Sequence, residues 1–154
     1  MSYYDTNRDS FVLFELADTT YGLRGTEVLK LEMIEHITPV PNAGPDLEGV
    51  VFSQGDVIPA ISLRARFGFP KVEYDIRSRL LVVQAGERKL GLIVDSAREF
   101  KNIPAELISK PPESLEGTSG IYLSGIATID ERLILILDLE ELVDGGAADA
   151  EQGS

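Results

Sequence analysis

Apolar residues arrive along this chain in short runs, each closed by a polar turn. Residues 11–16 (FVLFEL) are apolar and aromatic, with their period of two broken by Leu13. The chain returns at residues 21–23 after Asp18-Thr19-Thr20, a turn signal. Residues 27–37 alternate poorly and read as a short helical turn followed by a strand. Pro39, Pro41, Asn42, Gly44 and Pro45 mark a loop. Residues 50–52 and 57–61 are β-rich runs around Gln54-Gly55-Asp56, a hairpin signal. Residues 63–67 fit one or two helical turns, and residues 68–76 form a connector. Residues 80–83 and 90–94 make a hairpin around Gly86-Glu87-Arg88, and 97–103 is another strand. Pro111, Pro112, Gly117 and Gly120 mark a long loop. Residues 122–129 and 133–137 form the last hairpin, and Asp138 caps a helix running to Val143. Many short strands with frequent turns point to barrels or sandwiches, not βαβ units.

The pattern repeats. GVVFSQGDVIPAISL, residues 49–63, is echoed 76 residues on by GIATIDERLILILDL, residues 125–139. Both open on glycine, cross a polar turn, and run into a short amphipathic tail. FVLFELADTTYGL, residues 11–23, is echoed by LLVVQAGERKLGL, residues 80–92, and both end in Gly-Leu. Similarity at a fixed offset predicts two like-folded halves with the echoed strands in equivalent places. Gly49 is expected at a tight bend where a side chain would clash.

Composition narrows the class. A length of 154 residues suits one domain, or two small units on a common core. With 44% hydrophobic residues, the chain has enough apolar material for such a core. No apolar run approaches the roughly 20 residues that span a bilayer, and no secretory leader is visible. No membrane insertion is expected, and the cytoplasm is the expected compartment. Cysteine is absent, which removes disulfides, thiol catalysis and thiolate metal sites. The formal charge of −12 argues against nucleic acid, which calls for a basic footprint. Ten of the fourteen basic residues lie between Arg64 and Lys110, giving that stretch +4 and the remainder −16. That distribution reads as a solvated mixed surface, or as a dipolar molecule whose faces meet different partners. Residues 1–9 are polar and read as a flexible start; residues 144–154 lack apolar periodicity and read as a disordered acidic tail, of which 145–154 are expected to be dispensable for folding and kinase binding.

Catalytic chemistry is scarce. His36 is the single histidine, and one histidine at a strand end is ordinarily a surface or packing residue. The carboxylate pairs Glu113/Glu116 and Glu140/Glu141 sit in loop or helix-cap context and read as solvated charge. No phosphate-cradling GxxxxGK segment or calcium loop appears. No cofactor, metal or enzymatic activity is expected. The over-specified positions are glycines and apolar residues at hairpin bends, which suits a scaffold that binds protein.

The order of these segments resembles that of the CheW-like family of chemotaxis coupling proteins. The family's G-V-x-N-L-R-G-x-x-[IV]-P-[IV]-x-D-L-R hairpin stands here as GVVFSQGDVIPAISLR, its G-x-[IL]-V-D segment as GLIVD, and its late hairpin as GIATIDERLILILD. The resemblance covers about residues 10–143. It implies an all-β fold of two SH3-like five-stranded β-barrel subdomains sharing an apolar core, with short helices. It also implies a non-catalytic adaptor between a CheA-type histidine kinase, bound through its regulatory domain, and the cytoplasmic tip of a chemoreceptor. The receptor tip is expected in a groove between the barrels. Val28, Phe52 and Val57 are placed to receive a helix face, although core is the better reading for Val57.

Three departures from the family bear on coupling. Gln54 replaces the arginine of the N-L-R-G turn, and Lys30 stands where a glutamate pairs with that arginine. Glutamine can still hydrogen-bond lysine, but the bidentate ionic geometry is lost. Glu113 is followed by Ser114 instead of the aromatic anchor of the second kinase contact. Val28, Lys30, Gly49, Phe52, Gln54, Glu113 and Ser114 make the expected partner-binding set. Lys30 and Gln54 either face the inter-barrel side and tune receptor choice, or are neutral surface positions. The alternative to an adaptor for a divergent pathway is a stand-alone module that binds a CheA-like kinase domain without receptor.

Overall fold

The structure, a computed structural model, describes residues 9–113 and 122–144. β1 (Ser10–Leu16) and β2 (Thr19–Arg24) form a hairpin around Ala17-Asp18. Both turn residues have positive φ, 49° and 68°. That is the type I′ turn whose twist matches the strands. The expected turn lies further on, over Thr19 and Thr20. β-branched residues resist positive φ, so the bend settles on Ala17 and Asp18. A 3₁₀ turn, Gly25–Glu27, leads into β3 (Val28–Met33), as the poor alternation there predicts. β4 (Leu47–Ser53) and β5 (Asp56–Ser62) flank Gln54-Gly55, another pair with positive φ. One helical turn, α1 (Leu63–Arg66), follows, with the Ser62 hydroxyl accepting from the Ala65 N–H at 3.2 Å. β6 (Arg79–Ala85), β7 (Arg88–Val94) and β8 (Ser96–Asn102) come next. The Pro-rich stretch hides a 3₁₀ turn (Ala105–Leu107) and a two-residue strand, β9 (Ile108–Ser109), neither visible in the pattern. β10 (Leu123–Ile129) and β11 (Arg132–Leu137) close on helix α2 at 139–144. Asp138 Oδ1 caps it by accepting from the Glu141 N–H at 3.2 Å.

Two sheets result, ordered β8-β1-β2-β11-β10-β9 and β3-β6-β7-β5-β4. They are the same sheet built twice. Ala60 lies beside Gly91 across the parallel β5–β7 contact, and Ile136 beside Gly22 across β11–β2. Ala60 and Ile136 are echo positions, as are Gly91 and Gly22, so even the register repeats. The bulge repeats too, between Leu47 and Gly49 in one half and Leu123 and Gly125 in the other. The six-stranded sheet exceeds the expected five by β9, which pairs Ser109 with Ile126. In the other half a single bridge, Thr38 with Val50, takes that place. The chain is interleaved: β1 and β2 belong with β8–β11, while β3–β7 form the contiguous half.

The apolar side chains sort into three clusters. Phe11, Leu13, Ile134 and Ile136 fill one sheet, and Ile58, Leu80, Val82 and Ile93 fill the other. Between the sheets lies a shared core from Val12, Phe14 and Leu23 of one half and Leu81, Val83 and Leu92 of the other, joined by Leu139 and Leu142 of α2. Each central strand therefore buries both faces, one inside its sheet and one against the partner sheet. That is why Leu13 interrupts the alternation of residues 11–16. Rings run across the junction, Tyr21 to Phe67 at 5.5 Å and Phe67 to Tyr122 at 5.4 Å. Asp9 and Asp144, read from the pattern as part of the ends, belong to the described fold. The Asp9 carbonyl accepts from the Ile103 N–H at 2.8 Å, and Asp144 closes α2. Among the described residues no helix is long and apolar enough to cross a membrane.

Candidate partner-binding site

β3 and β4 are the two edges of the five-stranded sheet, and a groove of about 620 Å³ lies between them. Lys30–Met33 forms one wall, Val50–Phe52 the other, and Leu80 part of the floor. Glu32 ties the edges together. It accepts from the Ser53 hydroxyl across the groove at 3.2 Å and meets the Lys30 ammonium at 3.1 Å. The rim is apolar: Met33, Phe52 and Val57 line the groove and are 57%, 75% and 66% exposed. Phe52 and Val57 are cross-strand partners, so their side chains form one continuous surface. Val57 is thus not a core residue, contrary to the sequence reading. Ile58 and Ala60 face inward, and the alternation of β5 turns Val57 out where the hairpin tip passes beyond the shared core.

The expected partner-binding residues do not converge on one place. Lys30 and Phe52 line the groove, and Gln54 stands beside it as the first residue of the β4–β5 turn, with φ of 51°. Val28 is half-buried against the shared core. Gly49 is buried, with φ of +153°, and a Cβ there would sit 2.2 Å from the Thr38 carbonyl oxygen, so its role is structural. Glu113 is exposed in the other half, and Ser114 lies outside the described residues. Lys30 finds its carboxylate on its own strand, at Glu32. The groove lining falls wholly within residues 30–80, so the groove opens on the seam of one sheet and not between the two units. Glu32 and Met33 also line it and went unnoticed in the sequence; so does the exposed His36, read there as a surface or packing residue. The available signal was Glu32, two residues after Lys30, since residues i and i+2 share a strand face.

A second polar constellation joins the halves. Arg64 Nε and Nη2 donate to Asp95 Oδ1 and Oδ2 at 2.8 and 2.7 Å, a bidentate pair. Asp95 Oδ2 also accepts from the Ala17 N–H at 2.9 Å. Burial pushes the Asp95 carboxyl up, but the Arg64 guanidinium and the Ala17 N–H outweigh it and hold it below the usual range. A lowered carboxyl pKa contributes stability that is complete above the unfolded value, about 3.9, and is lost as pH falls through the folded value. Asp95→Asn should therefore flatten the acid limb of the stability curve below about pH 4. Urea midpoints from neutral to acid pH measure this, and an unchanged acid limb would contradict it.

The CheW-like domain profile matches residues 10–146 of the chain. The chain belongs to the CheW-like family. Among its relatives, the chemotaxis protein CheW of Klebsiella aerogenes is 28% identical over 139 residues, covering 90% of this chain and 84% of its own. CheW of Helicobacter pylori is 29% identical over 133 residues, 86% of this chain and 80% of its own. The crystal structure of the scaffolding protein TtCheW from Thermoanaerobacter tengcongensis superimposes with a TM-score of 0.81 at 32% identity, over 88% of this chain and 92% of that one. The CheW-like segments take clear places in the fold. GVVFSQGDVIPAISLR is most of the β4–β5 hairpin and the start of α1, and GLIVD is the end of β7 with Asp95 just beyond it. Their last residues, Arg64 and Asp95, are the bidentate pair.

Proposed function

We propose that this chain is a non-catalytic coupling protein of a chemosensory assembly, holding a CheA-type histidine kinase to the cytoplasmic tip of a chemoreceptor. The observation that carries the reading is the match of nearly the whole chain to scaffolding relatives, with an exposed apolar rim beside the groove. A helix laid on Met33, Phe52 and Val57 buries apolar surface on both sides. Lys30 and Glu32 then discriminate by charge, since a mismatched partner leaves one of them unpaired. Gln54 and Lys30 stand where the family carries its ionic pair, which points to a divergent partner set. The same two residues favour one second reading, a module that binds the kinase domain alone.

Titration of the chain with a receptor tip fragment and with the kinase regulatory domain separates the readings. Coupling requires binding to both; binding to the kinase domain alone supports the second reading, and binding to neither sinks both. The double variant Lys30→Glu, Gln54→Arg probes the groove. It sets a new carboxylate beside Glu32 and an arginine at the turn. Lys30 and Gln54 are solvent-facing, so stability should move by no more than about 1 kcal/mol. Receptor affinity should change several-fold while kinase affinity holds. Equal receptor affinity for parent and variant would remove Lys30 and Gln54 from the interface.

A further inference from the structure

The chain passes between its halves twice, through residues 24–28 and through Asp95 alone, the one residue between β7 and β8. Asp95 is bound from both sides. Its N–H donates to the Glu15 carbonyl of β1 at 3.0 Å, and its carboxylate accepts from Ala17 in the β1–β2 turn, both in the interleaved half. From the contiguous half, Arg64 grips the same carboxylate with two N–H groups and anchors its third nitrogen on the Pro70 carbonyl at 2.9 Å. Arg66, two residues on, bonds Asp46 and the Leu142 carbonyl of α2. One turn of helix thus reaches the crossing residue with one arginine and the final helix with the other.

We propose that Asp95 locks the angle between the two halves, as a positioning residue that sets how the Phe52–Val57 rim stands relative to its echo on the other half. That echo is real: Leu133, 76 residues after Val57, is 61% exposed at the equivalent hairpin position. The hydrophobic attraction across the shared core is non-directional and holds the halves together. A bidentate guanidinium–carboxylate pair is directional and resists rotation. Asparagine at position 95 presents one oxygen, so it cannot accept from Arg64 twice and from Ala17 as well. The lock operates on the free chain, whichever partners the rims meet.

The absence of cysteine makes the test direct, since paired cysteines can be introduced without a background. Spin labels at Val57 and Leu133 report the distance between the two rims. Labels at Leu29 and Val57 report a distance within one half. Pulsed electron paramagnetic resonance on Asp95→Asn should show the rim-to-rim distribution at least doubled in width, with the internal one unchanged. Arg64→Lys keeps the charge but not the fork, and should widen the same distribution. A rim-to-rim distance as narrow as the parent's in either variant overturns the proposal. So does equal broadening of both distances, which would mean that the pair holds the fold of one half and not the angle between two.

Discussion

Replacing Gly49 with alanine should cost about 3 kcal/mol of stability, a drop of roughly 10 °C in the melting midpoint for a chain of this size. The added Cβ meets backbone, the Thr38 carbonyl oxygen at 2.2 Å and its carbon at 2.7 Å. That backbone cannot retreat, because Thr38 and Val50 exchange two hydrogen bonds of 2.9 Å. The φ of +153° adds strain for any L side chain. Gly125 occupies the same place in the other half and gives the internal control. There the nearest atom is a side-chain methyl, Ile108 Cγ2 at 2.5 Å, with the nearest backbone atom, the Ser109 carbonyl oxygen, at 3.3 Å. Gly125→Ala should cost about 1–2 kcal/mol. A Gly49→Ala melt within a degree or two of the parent would show that the bulge relaxes, and the argument from close approach would fail.

The second large effect is expected on binding and not on stability. Phe52→Asp and Val57→Asp each place a carboxylate in the middle of the apolar rim. Anchor residues of this kind are worth about 2 kcal/mol or more when removed, so partner affinity should fall roughly 30-fold or further. Both side chains are exposed in the free chain, so the melting midpoint should barely move. Calorimetric titration against the receptor tip and the kinase domain would show which partner uses the rim. Unchanged affinity for both, with an intact fold, would exclude the rim as an interface.

The repeat was legible because each half has to fill two cores with the same strands. Burial on both faces writes apolar runs at 11–16 and 80–83, and the shared topology repeats the same order of runs and turns in each half. Pairings that depend on closure left no local trace. Glu32 and Ser53 meet 21 residues apart, and Arg64 and Asp95 31 residues apart, only because the sheet curls until its edges and crossings approach. Val57 misled for a related reason. Its side chain suits a core, but its exposure is decided by how far the hairpin projects, which the residues themselves do not encode. The groove likewise opens within one sheet because β3 and β4 both end up as edges, a property of strand order and not of composition.

The interleaved topology also sets an order of events during synthesis. β3–β7 can close as soon as residue 94 is made, because every strand of that sheet lies between residues 28 and 94. The hairpin of β1 and β2 is translated first yet must wait for β11; Thr20 meets Arg132 across a separation of 112 residues. At the usual 5–20 residues per second, that wait lasts on the order of ten seconds. Throughout it, the Phe11 and Leu13 face of β1 lacks the Ile134 and Ile136 of β11 that complete its cluster. The earliest part of the chain to be made is the last to be sheltered, so the nascent hairpin is where a ribosome-associated chaperone has the most apolar surface to hold.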